Sequence, residues 1–106
     1  EDTYMTKDAE KFLCICYRDY LSRVKDGNSK SDSRRFSKNY KNENPNFSDW
    51  HDDDFAETRR ELKRLGILNV EVSGAFSLLP DGIDYMENRF KNNLKELTEF
   101  ISRLIP

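Results

Sequence analysis

The stretch from Glu61 to Glu87 constrains the fold of this chain more than any other. Glu61-Leu62-Lys63-Arg64-Leu65-Gly66-Ile67-Leu68 reads as the end of a charged helix. Gly66 stands where a C′ glycine stops a helix, because it takes a left-handed conformation without a Cβ penalty. Ile67 and Leu68 then turn inward. Two strands are expected next, near 69–73 and 75–79. Alternation predicts Val70 and Val72 on one face and Glu71 on the other. Ser73-Gly74 offers a tight turn in which Gly74 can take positive φ. Leu79-Pro80-Asp81-Gly82-Ile83-Asp84-Tyr85-Met86-Glu87 starts another helix at once.

Three further segments flank this unit. Residues 6 to 26 read as a first helix, with Thr6 as N-cap and Asp8 and Glu10 in the first turn, where carboxylates complement the helix dipole. Phe12, Leu13, Ile15, Cys16, Tyr17, Tyr20, Leu21 and Val24 form its apolar stripe, and Gly27 ends it. A helix leading to Gly66 is expected to start at Ser48 or Asp49. Phe47 is placed for a hydrophobic staple, and Phe55, Leu62 and Leu65 share the inner face with Thr58 between them. The last segment, Asp81 to Ile105, reads as an extended C-terminal helix. Ile83, Met86, Phe90, Leu94, Leu97, Ile101 and Leu104 lie close to a heptad seam. One continuous helix would span ~37 Å. Asn88, Asn92 and Asn93 are weak helix formers, so a bend or break is expected there.

Residues 28 to 46 are different. They are rich in Ser, Asn, Lys and Arg and almost without aliphatics. A short helix is expected from about Asp32 to Asn39, with Phe36 and Tyr40 on one side, and Asn44-Pro45-Asn46 breaks any continuation. A polar connection of this length reads as a binding loop or as disorder.

Composition narrows the classes. A chain of 106 residues is one domain by size, and 36% apolar residues suffice for a modest core. The net charge of −2 is no electrostatic footprint for nucleic acid. No apolar run approaches the ~18 residues of a membrane span, so no membrane partner is expected. Glu1-Asp2-Thr3-Tyr4-Met5 is acidic and lacks the apolar core of a signal peptide. Met5 is read as the native start, preceded by a four-residue remnant. Cys14 and Cys16 point to different sides of a helix and cannot pair easily with each other, which suits a reducing cytoplasm.

The phrases around Gly66 and Gly82 resemble the bacterial winged helix-turn-helix superfamily. There, a recognition helix commonly ends in a Leu-x-x-x-Gly-Ile/Leu phrase, and a wing leads into a Leu-Thr-x-x-Gly-x-x-Tyr-Leu phrase. Leu62-Lys63-Arg64-Leu65-Gly66-Ile67 and Leu79-Pro80-Asp81-Gly82-Ile83-Asp84-Tyr85-Met86 stand in those places. Over roughly residues 6 to 90 the chain resembles the small YjcQ-type proteins of Gram-positive bacteria and their phages. The resemblance implies a mainly α fold with a small β-hairpin, a winged helix with an extended C-terminal helix. It also implies DNA binding in transcription regulation, with dimerisation through a terminal helix.

Charge departs from that pattern. Asp49, Asp52, Asp53, Asp54 and Glu57 crowd the start of the expected recognition helix, where base contacts normally arise. The wing carries Glu71 and no Lys or Arg. Duplex DNA would therefore meet Lys30, Arg34, Arg35, Lys38 and Lys41, together with Arg59, Arg60 and Lys63 at the other end of the helix. Phe36, Tyr40 and Phe47 are interleaved with the first group, a pattern that fits either stacking on bases or anchoring a solvated loop. Intrahelical pairing with Glu57 and Glu61 is the plainer account of the second group.

Trp50, Asp52, Asp53 and Asp54 are the candidates for a protein partner, although acids at a helix start also simply complement the dipole. Phe90, Leu94, Leu97, Ile101 and Leu104 are the candidates for a homodimer seam, although the same seam could simply pack on the first helix. No metal or cofactor is expected: consecutive helical carboxylates fan out, and no EF-hand spacing occurs. His51, the sole histidine, has no nucleophile motif beside it, so no catalytic residue is assigned. The leading expectation is a non-enzymatic, DNA-binding regulator of a bacterium or mobile element. The alternative is a protein-interaction module or adaptor using the acidic helix start.

Overall fold

The computed structural model describes residues 5–91 and 94–104. Helix α1 (Lys7–Lys25) is its axis. Thr6 caps it, its hydroxyl accepting from the Ala9 amide, and Gly27 follows its end at φ +100°. Phe12 through Tyr17 are all buried, as are Ala9 and Tyr20. A helix buried on every side must have neighbours all round, and α1 does. Helix α4 (Asp52–Arg64) packs on one flank, and α5 (Pro80–Phe90) and α6 (Leu94–Leu104) on others.

The fold is mainly helical with a small three-stranded antiparallel sheet, ordered β1-β3-β2. Strands β2 (Leu68–Val70) and β3 (Phe76–Leu78) form the hairpin, in register Leu68 with Leu78 and Val70 with Phe76. Both strands are shorter than alternation suggests. The chain leaves the ladder at Glu71, whose amide donates to the Ala75 carbonyl, and Gly74 turns at φ +101°. Val72 therefore sits in a five-residue turn and is fully exposed, instead of sharing a face with half-buried Val70.

The polar segment is ordered, with Phe36, Tyr40 and Phe47 as anchors rather than as stacking platforms. Instead of one helix over 32–39 it holds α2 (Lys30–Ser33), β1 (Arg35–Phe36), α3 (Tyr40–Glu43) and a 3-10 turn (Pro45–Phe47). Strand β1 pairs Arg35 with Ser77 and Phe36 with Phe76. Three aromatics hold the segment down. Phe36 stacks on Phe76 at 5.1 Å, Tyr40 meets Phe36 at 4.8 Å, and Phe47 meets Phe12 at 5.3 Å between ring centroids. These rings are buried and have no face left for a base. A polar tie adds direction. The Tyr40 hydroxyl donates to Asp19 on α1, and Asn44 Nδ2 donates to the Tyr40 oxygen at 2.9 Å.

Helix α4 begins at Asp52, later than Ser48 or Asp49, because Pro45–Phe47 already uses the preceding turn. His51 takes the N-cap position without a side-chain bond. Trp50, rather than Phe47, then occupies the staple position, and both rings pack on Phe55. Gly66 ends the helix at φ +76°, and the Ile67 amide reaches back to the Leu62 carbonyl. Gly82 sits hard against that turn: a Cβ there would meet Ile67 Cγ2 at 2.9 Å.

The extended C-terminal helix is broken. Helix α5 ends at Phe90, its cap Lys91 turns left-handed at φ +50°, and α6 is described from Leu94; Asn92 and Asn93 of the expected bend or break and the expected end at Ile105 lie outside the described residues. Phe90 and Phe100 meet across the break at 5.4 Å, with the Arg89 guanidinium over both rings. Arg89 also pairs with Glu10 at 2.8 Å, fastening this corner to α1. Much of the expected homodimer seam consequently faces the chain's own core. Phe90, Leu97 and Ile101 are buried in the core, and Leu94 and Leu104 are partly covered. Folding α6 back onto α1 buries Leu97 and Ile101 of that stripe.

Candidate nucleic-acid interface

The basic residues of the polar segment do not form one surface. Lys30 and Arg34 lie beside Pro80, Ile83, Asp84 and Glu87 of α5, and Arg34 donates to the Leu78 carbonyl at 3.1 Å. Arg35 is exposed on β1, near Arg23 and Glu43. Lys41 is paired with Asp52 at 3.3 Å, across from α3 to the first turn of α4. Hydrogen bonding within the fold thus engages Arg34 and the acidic helix start engages Lys41. Arg23 donates to the Ser33 and Arg35 carbonyls and lies over the Phe36 ring, so it is a strut of the segment.

Lys38 goes elsewhere. At the hairpin tip, the position a Cβ would take on Gly74 lies 3.6 Å from Lys38 Cβ and 3.9 Å from Arg59 Nη1. Arg59 donates to the Gly74 carbonyl at 2.9 Å and lies over the Phe55 ring. Burial lowers the Arg59 pKa, and neighbouring Arg60 lowers it further. A guanidinium nevertheless remains charged in proteins. Gly74 therefore lies between the β-carbon of Lys38 and the guanidinium of Arg59, which, like that of Arg34, spends one donor on a backbone carbonyl. Arg60 and Lys63 are exposed along the same helix.

The first turn of α4 has the opposite sign. Asp52, Asp53, Asp54 and Glu57 are exposed, and Lys41 is the cation paired with this turn among the described residues. Arginines do not mask them. Trp50 is half-buried against Phe12, Phe47 and Phe55. Glu61 turns from the surface to α1, accepting from both the Thr6 amide and hydroxyl at 3.0 and 2.9 Å.

Other chemistry is sparsely represented. Among the described residues, no group of three His, Cys, Asp or Glu side chains could hold a metal ion, and no helix is long and apolar enough to cross a membrane. Cys14 and Cys16 are both free and buried. Burial pushes the Cys14 thiol up to about 12, with Arg89 opposing and Glu10 assisting, and it pushes Cys16 well up too. Thiols held in that form are poor nucleophiles. Burial, then Cys16 and Asp19, likewise raise the Tyr40 hydroxyl, so the Tyr40–Asp19 tie keeps its proton.

Sequence reasoning missed Gly74 as the meeting point of Lys38 and Arg59, and it missed Asp8 and Asp49 as neighbours of Asp54 and Trp50. The first lacked any local signal. The second had one, since Asp8 occupies the first turn of a helix whose stripe must face α4. No family model matches the chain, nor does any curated protein or solved structure.

Proposed function

We propose that this chain is a small winged-helix protein that binds duplex DNA, as a non-enzymatic regulator of a bacterium or mobile element. The order α1, β1, α3, α4 and then a β2–β3 hairpin supports the winged-helix part, as does a sheet in which β3 lies between β1 and β2. On this reading α4 is the recognition helix and the hairpin is the wing. The observation that supports the DNA part is that the Lys38 side chain starts against Gly74, where the Arg59 guanidinium also lies, and that the helix of Arg59 exposes Arg60 and Lys63 too.

The docking follows from charge. Phosphates approach the hairpin tip and the basic side of α4, while Asp52, Asp53 and Asp54 repel them from the first turn. Contacts of this kind position a protein without reading sequence. Binding is then weakly selective and dominated by counterion release. With about three phosphates neutralised, log K falls against log salt with a slope of about −3.

Fluorescence anisotropy on a random-sequence duplex tests this. Binding at low salt is expected, and Lys38→Glu combined with Arg60→Glu abolishes it. Lys30→Glu, on the α5 side, leaves it nearly intact. Absence of binding by the parent chain at low salt, or equal loss in the Lys30 variant, overturns the assignment.

A further inference from the structure

A groove runs between the start of α1 and the start of α4, on a different part of α4 from the Gly74 corner. Its wider part is a cavity of about 300 Å³ lined by Asp8, Lys11, Ile15, Asn46, Asp49, Trp50 and Asp54. A second hollow of about 170 Å³ shares Asp8 and Asp54 and continues past Glu57 to Glu61. The half-buried Trp50 gives the groove its apolar side, with the buried Ile15 behind it. The indole is held by edge contacts to Phe12 at 6.3 Å, Phe47 at 5.2 Å and Phe55 at 6.4 Å, which fix the position of its partly exposed ring.

The rim carries Asp8, Asp49 and Asp54 against Lys11 alone. Among the described residues, none of those three carboxylates has an ion-pair partner. An aromatic face beside unpaired carboxylates is the chemistry that receives a guanidinium: the ring attracts the cation and the acids accept its hydrogen bonds. The run of acids from Asp49 to Glu57 along the groove suits a chain with more than one cation.

We propose that this groove docks an extended, arginine-bearing segment of a partner protein, with one guanidinium seated on Trp50 between Asp49 and Asp54. Charge complementarity selects that occupant over an acidic or neutral peptide. Polyanions are excluded from the same place, so the site is independent of DNA binding, and each reading can fail alone.

Trp50 is the sole tryptophan and reports its own site. The full chain is titrated with an N-acetylated peptide of alternating arginine and alanine, and indole emission is followed. A saturable change is expected. Asp49→Asn combined with Asp54→Asn weakens it on the order of tenfold, and Asp53→Asn leaves it unchanged. Asp54→Asn alone gives a smaller loss in the same direction, which keeps the test valid if the double variant fails to fold. A non-saturating response overturns the proposal. So does equal weakening by Asp53→Asn, or the same response to a glutamate–alanine peptide. Sedimentation showing that the chain alone fills the groove with a second copy overturns it as well.

Discussion

Residues 28 to 47 and residues 80 to 104 invert what their compositions suggest. The first is polar and reads as loose, yet Phe36, Tyr40 and Phe47 are buried and it contributes a strand to the sheet. The second carries a regular apolar seam and reads as one extended helix that either packs on the first helix or pairs with a twin, yet it breaks at Lys91 and covers α1 of its own chain. The difference teaches that anchoring depends on where a few side chains land, not on how many apolar residues a segment holds. Three rings suffice when they reach an existing aromatic cluster. An apolar seam packs within its own chain when an uncovered helix lies within reach.

The largest effect that would break this comparison is at Phe36. Its ring contacts Phe76 and Tyr40 and lies under Arg23. Phe36→Ala is expected to cost about 3–5 kcal/mol in urea unfolding, a large share of a typical domain's stability. A loss under about 1 kcal/mol would mean that the segment is an appendage after all. Next comes the α6 seam. Leu97→Ala should cost about 2–4 kcal/mol, while Leu94→Ala costs clearly less because Leu94 is only partly covered. Equal losses at both, with a midpoint that rises with protein concentration, would restore the dimer seam.

The smallest effect sharpens the break itself. Lys91 holds φ +50°, a conformation that costs an L-residue and suits glycine. Lys91→Gly is expected to stabilise the chain by about 0.5–1 kcal/mol. Destabilisation by a similar amount would indicate that Lys91 lies inside a continuous helix, where glycine is unfavourable.

Local signals were legible and distant ones were not. Thr6, Gly27 and Gly66 announce their helix ends, and each does the work its chemistry suggests. The hairpin was readable from Val70, Gly74 and Phe76, though not its wide turn. Strand β1 was hidden because Arg35-Phe36 gains strand character only from pairing with Phe76 and Ser77 far along the chain. The break at Lys91 falls in the asparagine-rich stretch where weak helix propensity pointed. At the candidate site, composition found Lys38, Arg59, Arg60 and Lys63 but could not bring them together. It also could not separate Arg34 and Lys41, whose engagements with Leu78 and Asp52 are tertiary.

The claim that the Gly74 corner, and not the start of α4, faces DNA is tested most directly by amide chemical-shift mapping with a short random duplex at low salt. The account predicts the largest shifts at Ser73, Gly74, Lys38, Arg59 and Arg60, fading as salt is raised. Shifts centred on Asp52, Asp53 and Asp54, or none at any salt concentration, would contradict it.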